Sequence, residues 1–359
     1  MSNIEKNLMR TLTELLHEQP TGTGMQVVVH DGGKRVVDLA GGGVGVTADT
    51  PFMLFSVSKS LTTMAVLHLI DAGTIGLDMP IAEVWPAFAR GGKGKATIRH
   101  ALSHQAGIPA PHLNGQLLLW PFWRLVTADV AATKAVFPPG TQTGYHLVNF
   151  GFILGEVVRR VSGIPLDKYL STYFFTPLGM EHTYMRIPGE VLKRSPHLIT
   201  NSEMFRQHTV WFNSPIIRRA LIPAACAHST ALDLATLFQM LVNGGEYKGK
   251  RYLKAETIET ATRSDDDVYD TYLQTRMNWG LGFIIGGGEH ANPDRRMSAM
   301  GVGSSTQTFA GLGMGTCMVW ADKPTGLVTA FTTNLMLGDE GVGDRWARIS
   351  NAVWDGIKS

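Results

Sequence analysis

Cysteine is scarce in this chain: Cys226 and Cys317 are the only two among 359 residues. Folds built on disulfides need many more, so a reducing compartment is the simpler reading. Charge is thin as well. Asp, Glu, Lys and Arg make up 17% of the residues, below the usual ~25%, and the formal charge is +2. The basic residues are scattered rather than striped with aromatics, which argues against nucleic acid as a partner. No run of about 18 apolar residues is available to span a bilayer. The opening Met1-Ser2-Asn3-Ile4-Glu5-Lys6-Asn7 has no apolar signal segment. The expectation is a soluble, cytoplasmic protein without a membrane partner; nothing in the sequence sets an oligomeric state.

Several motifs are missing. No Gly-x-Ser-x-Gly elbow occurs, which removes the Ser-His-Asp hydrolase arrangement. Glycine is abundant at 40 residues, yet none falls in a Walker or Rossmann pattern. Knots such as Gly41-Gly42-Gly43 and Gly286-Gly287-Gly288 read as turns. His100 and His104 have the spacing of a metal pair, but no Glu follows His100 and no third ligand is evident, so they read as structural. Neither a metal nor a cofactor is expected.

What is present is a large apolar fraction, 44%, enough for a sizeable core in one large unit or two tightly joined subdomains. Ile4, Leu8, Leu12 and Leu15 recur at helical spacing and Pro20 ends the pattern. Met25 to His30 and Lys34 to Leu39 alternate as strands about an Asp31-Gly32-Gly33 turn. Leu61, Met64, Leu67 and Leu69 predict one buried helix face closed by Asp71-Ala72-Gly73; Asn149 to Val161 and Ala231 to Leu241 predict two further helices. Strand-like segments return at Trp279 to Ile285, Thr316 to Trp320 and Leu327 to Thr332, before an amphipathic helix from Asp344 to Ile357. Strands at both ends around a helical middle predict an α+β fold. One sheet is built from about 1–75 plus 230–359, and a mainly helical subdomain of about 76–229 is inserted. A site at their junction would be a natural cleft.

Just before the second helix stands Ser56-Val57-Ser58-Lys59, the only Ser-x-x-Lys in the chain. Residues three apart share a helix face, so the Lys59 amine can reach the Ser56 hydroxyl. A serine opening a helix also lies at the positive end of its dipole. Together these can activate a poor nucleophile. Taken alone, the motif arises about once by chance in a chain this long.

Its context is stronger. Phe55-Ser56-Val57-Ser58-Lys59 is followed in order by Thr97 to Ile108, Pro138-Pro139-Gly140-Thr141 with Gly144-Tyr145-His146, Pro177 to Thr183, Ser229 to Leu234, and Trp279-Gly280-Leu281-Gly282-Phe283. This ordered set spans nearly the whole chain. It resembles the serine β-lactamase and penicillin-binding protein superfamily, and most of all the family VIII carboxylesterases, which share the class C β-lactamase fold. The resemblance implies a β-lactamase-like antiparallel sheet flanked by helices, and an acyl-enzyme mechanism. Ser56 would be the nucleophile. Lys59 would take its proton, and Tyr145 would relay that proton to the leaving group and later activate water; which of the two is the base stays open. The backbone N–H groups of Ser56 and Met314 would hold the oxyanion, Met314 following Gly311-Leu312-Gly313 at the place of the family's third motif. His146 and the Gly311, Leu312 and Gly313 segment would border the substrate, and Trp120 and Trp123 would line an apolar wall.

Two departures from that pattern bear on the substrate. β-Lactamases carry Asn at the third place of the tyrosine motif, where this chain has Leu147. They carry Lys-Thr-Gly, or a His in its place, at the third motif, where this chain has Gly311-Leu312-Gly313. Each missing charge-assisted anchor is worth about 1.5–3 kcal/mol, so carboxylated lactams should bind well over tenfold more weakly. Small uncharged esters are the expected substrates. The alternatives are a β-lactamase, D-aminopeptidase or amide hydrolase of the same fold, and a non-catalytic protein that binds an acyl or peptide ligand.

Overall fold

The computed structural model describes residues 1–43, 45–110, 116–264, 267–287 and 297–358. Helix α1 (Asn3–Glu18) opens at Ser2, whose hydroxyl accepts the Glu5 N–H, and buries Ile4, Leu8, Leu12 and Leu15 as their spacing predicts. Strands β1 (Gly24–Asp31) and β2 (Lys34–Gly42) follow as a hairpin. Its two-residue turn, Gly32-Gly33, needs φ of 53° and 81°, which glycine adopts without strain.

These strands join four from the end of the chain: β3 (Ile284–Ile285), β4 (Thr308–Gly313), β5 (Cys317–Asp322) and β6 (Leu327–Thr333). The antiparallel order is β3-β4-β5-β6-β1-β2, with β1 against β6 in the register Val27↔Phe331 and Val29↔Thr329. The α+β class and the sheet shared by both ends of the chain are as expected.

Alternation along each strand divides the interior. Val27, Val29, Trp320 and Phe331 face α1 and the last helix, α6 (Asp339–Lys358). There Trp320 stacks on Trp354 with ring centroids 5.3 Å apart and donates its indole N–H to Ser350 Oγ at 3.0 Å. Val28, Val319, Ala321 and Ala330 face the opposite way. They form one continuous core with α2 (Val57–Asp71), α4 (Asn149–Ser162) and α5 (Ala231–Val242), reached on the far side by α3 (Trp123–Ala132). Between residues 76 and 229, the described strands are only two residues long. Ile199–Thr200 pairs with Leu335–Met336, and His228–Ser229 pairs with Phe52–Met53. Among the described residues no helix is long and apolar enough to cross a membrane.

Three local expectations need correction. Helix α2 is buried nearly all round rather than along one stripe. Its small polar residues make this tolerable: Ser58 Oγ accepts the Ala227 N–H at 3.1 Å and Thr62 Oγ1 donates to the Pro223 carbonyl at 2.8 Å. The segment Trp279 to Ile285 supplies only Ile284–Ile285 to the sheet. Gly282, at φ 81°, turns the chain so that the Gly280 N–H bonds back to Phe283. The last helix begins at Asp339, five residues before the expected Asp344. Gly288, read as part of a turn, lies outside the described residues.

Candidate active site

Ser56 is presented by a strained turn. The Leu54 N–H bonds to the Ala227 carbonyl at 2.8 Å, and Phe55 then takes φ 43°, a left-handed conformation that costs a bulky residue energy. Ser56 becomes the N-cap of α2 without spending its side chain on a capping hydrogen bond. Its Oγ therefore faces two other groups. Lys59 Nζ lies 3.1 Å away and also donates to the Ala224 carbonyl at 3.3 Å. The Tyr145 hydroxyl lies 2.7 Å away on another side, its ring centroid 4.6 Å from the amine.

Lys59 is 4% exposed. Burial disfavours its charged form and lowers its pKa well below the usual lysine value. An amine whose neutral form is favoured in this way is able to accept a proton, as a general base must.

Tyr145 sits on a stretch without regular structure, and two buried histidines brace it. His104, at φ 62°, accepts the His146 N–H on Nδ1 at 3.1 Å, and its ring packs against Tyr145 at 4.7 Å. His146 Nδ1 bonds to the Gly144 carbonyl at 2.6 Å, while its Nε2 accepts the Ile108 N–H at 3.4 Å. Burial is the largest cause that lowers both imidazoles; His146 falls to about 4 and His104 well below the usual value. A proton on Lys59 would lower both imidazoles further, a smaller effect than burial.

Strand β4 forms the other wall. A Cβ at Gly311 would stand 2.9 Å from Ser60 Oγ of α2, so glycine lets the strand approach the helix that carries Ser56. A Cβ at Gly313 would overlap the Leu54 carbonyl and the Cys317 sulfur. Met314 follows at φ 36°. Among the described residues, neither its backbone N–H nor that of Ser56 donates to another backbone group. Gly313→Ala is expected to cost about 2–3 kcal/mol through this overlap; a urea midpoint within error of the parent protein would show that the strand relaxes.

The remaining sequence candidates divide differently from the expectation. His146 is fully buried with both ring nitrogens on backbone groups, so it braces the tyrosine loop and offers nothing to a substrate. Leu312 points through the sheet to the core beneath α1 and α6, because alternation in β4 sends it opposite to Gly311. Trp120, 3% exposed, packs on Phe212, which packs on Phe55; it stands in the core behind the turn that carries Ser56. Trp123 is turned onto α4, donating to Glu156 Oε2 at 2.8 Å and packing on Phe152. It borders a separate surface recess with Trp85, Arg90 and Arg159. Leu147 is partly buried against the core and presents no amide. Gly311 and Gly313 carry no side chain toward the site.

Two residues that sequence reasoning did not select surround Tyr145. Trp279 stacks on its ring at 5.5 Å and 12°, and the fully buried Asp270 accepts its backbone N–H at 3.0 Å. Trp279 opened a recognised segment but carried no sign of a site. Asp270 stood in a polar stretch with no spacing to set it apart. His100 is spent locally, exchanging hydrogen bonds with Thr97 at the start of the helix Ile98–Leu102.

Comparison with known proteins adds family context. The model of the Beta-lactamase family matches residues 9–353. The Esterase/beta-lactamase LipL of Mycobacterium tuberculosis is 27% identical over 92% of this chain and 81% of its own length. Penicillin-binding protein 4 of Amycolatopsis lactamdurans is 31% identical over 68% of this chain; the match spans 65% of that relative, just under two thirds of its length. A crystal structure of a family VIII carboxylesterase superposes with a TM-score of 0.84 at 27% identity, covering 98% of this chain and 97% of that one.

Proposed function

The chain belongs to the beta-lactamase family, hydrolases of the beta-lactamase and esterase kind, and from that premise we propose that it is a serine carboxylesterase acting on short or medium acyl esters. The observation that carries the reading is the convergence of Lys59 Nζ at 3.1 Å and the Tyr145 hydroxyl at 2.7 Å on Ser56 Oγ. In the proposed reaction Ser56 Oγ attacks the ester carbonyl carbon and its proton passes to the Lys59–Tyr145 pair. The oxyanion is held by the N–H groups of Ser56 and Met314. The carbon–oxygen bond of the ester then breaks and the alcohol departs with the proton. Water, activated by the same pair, attacks the acyl-enzyme, releases the carboxylic acid and restores Ser56.

The substrate class follows from what the site does not offer. With Leu147 and Gly311 in the two anchoring positions, no amide or cation stands there for a lactam side chain or carboxylate. The loss of two anchors of about 1.5–3 kcal/mol each favours neutral esters over carboxylated lactams. The expected result is a kcat/KM for p-nitrophenyl butyrate at least tenfold above that for nitrocefin or a D-amino-acid amide. The reverse order would assign the same machinery to lactams or amides. A folded protein that an alkyl fluorophosphonate fails to label would instead be a binder without turnover.

A further inference from the structure

The chain from Phe137 to Val148 forms no helix and is tied down by isolated contacts: Thr143 makes a parallel bridge with Asp270, and the Gly144 N–H bonds to the His104 carbonyl at 3.0 Å. The Asp270 side chain adds a hold at Tyr145 itself. Asp270 is fully buried at the end of a short hairpin, Val268–Asp270 with Thr275–Met277. Its Oδ1 accepts the backbone N–H of Tyr145 at 3.0 Å, of Tyr272 at 3.0 Å and of Leu273 at 2.9 Å. Its Oδ2 accepts the indole N–H of Trp279 at 3.1 Å. The neighbouring Thr271 clamps the same loop from the next residue, donating its N–H and its hydroxyl to the Thr143 carbonyl, each at 2.9 Å.

These contacts fix the phenol from two directions. The Tyr145 backbone hangs from Oδ1. Its ring lies flat against Trp279, which hangs from Oδ2 and also packs edge-on against His104 at 4.6 Å. Tyr272, held by the same Oδ1, places a 39% exposed phenol ring 6.5 Å from that of Tyr145. Tyr145 and the two aromatic residues beside it thus share one carboxylate. A group that transfers protons must be held to within about half an ångström, and a shift of about 1 Å costs roughly a hundredfold in rate.

We propose that Asp270 is a positioning residue: it suspends Tyr145 and its stacking partner Trp279 from one carboxylate and thereby sets the distance from the phenol to the Ser56 hydroxyl. The inference rests on the hydrolase reading above. Asn at this position keeps one oxygen for the backbone donors but turns an NH2 toward a donor, so Asp270→Asn breaks one half of the suspension. Trp279→Phe keeps an aromatic ring beside Tyr145, though a smaller one, and deletes the indole N–H that reaches Oδ2.

The test is steady-state hydrolysis of p-nitrophenyl butyrate, expressed per Ser56 titrated with a fluorophosphonate. Asp270→Asn is expected to lower kcat about thirtyfold, and Trp279→Phe about fivefold, with KM within threefold of the parent in both. Residual kcat per titrated serine equal to the parent's in either folded variant would reduce Asp270 to a structural role and overturn the proposal. Should Asp270→Asn not fold, Trp279→Phe decides by the same criterion. A parent protein that the phosphonate does not label removes the hydrolase reading and this inference together; a labelled parent with unaffected variants removes this inference alone.

Discussion

Ser56→Ala is expected to leave a folded protein whose turnover of p-nitrophenyl butyrate falls by roughly ten-thousandfold or more, the scale seen when an acyl-enzyme hydrolase loses its nucleophile. The fold should tolerate the change for a specific reason. A helix N-cap serine ordinarily contributes about 1 kcal/mol through its side-chain hydrogen bond, but Ser56 makes no such bond. Its hydroxyl is directed at Lys59 and Tyr145 instead. Alanine therefore removes chemistry and very little stability. An intact-mass shift on incubation with an activated ester should appear in the parent and be absent in the variant. A variant that kept the parent's rate would move the nucleophile elsewhere and dissolve the assignment of all three residues.

Lys59→Met should be comparably damaging to turnover, by about a thousandfold or more, and should also change how stability depends on pH. In the unfolded chain this lysine takes up its proton at its ordinary value; in the folded protein burial delays protonation to much lower pH. Above the ordinary value both states hold a neutral amine and the group contributes nothing. As pH falls through that value the unfolded chain binds a proton that the folded one does not, so the folded state loses ground. The loss is complete once pH drops below the lowered value. Methionine does not titrate. The difference in urea midpoint between Lys59→Met and the parent should therefore shift toward the variant as pH is lowered from about 10.5 to 7. A difference independent of pH over that range would mean that the amine is not held neutral.

Much of the architecture could be read from periodicity. The apolar spacing of α1, the Gly32-Gly33 hairpin and the helices at Asn149 and Ala231 follow from side-chain patterns that act over one element. The Ser56–Lys59 pairing was legible for the same reason, since three residues on a helix fix a distance. Tyr145 was legible only through family resemblance, because 86 positions of chain separate it from Lys59. What stayed hidden depends on tertiary packing. The tryptophans at 120 and 123 looked alike in sequence, yet one is inserted behind Phe55 and the other is drawn to Glu156. His146 adjoins the phenol in the chain and still turns inward, because the Gly144 carbonyl and the Ile108 N–H both lie inside. Asp270 is the clearest case. The role proposed for it lies in which backbone and indole N–H groups reach it, and a single carboxylate in a polar stretch gives no hint of that.

The strand order also has a bearing on biogenesis. On the ribosome β1 and β2 emerge first, but the inner flank of β1 is completed only by β6, nearly three hundred residues later. For most of translation a two-stranded ribbon waits with both hydrogen-bonding edges open, including the edge of β1 that β6 later covers, a state prone to intermolecular pairing. Long-range closure of this kind is slow. Overproduced chains should therefore partition toward inclusion bodies at high temperature and be rescued by slower synthesis, whatever the final stability of the finished sheet.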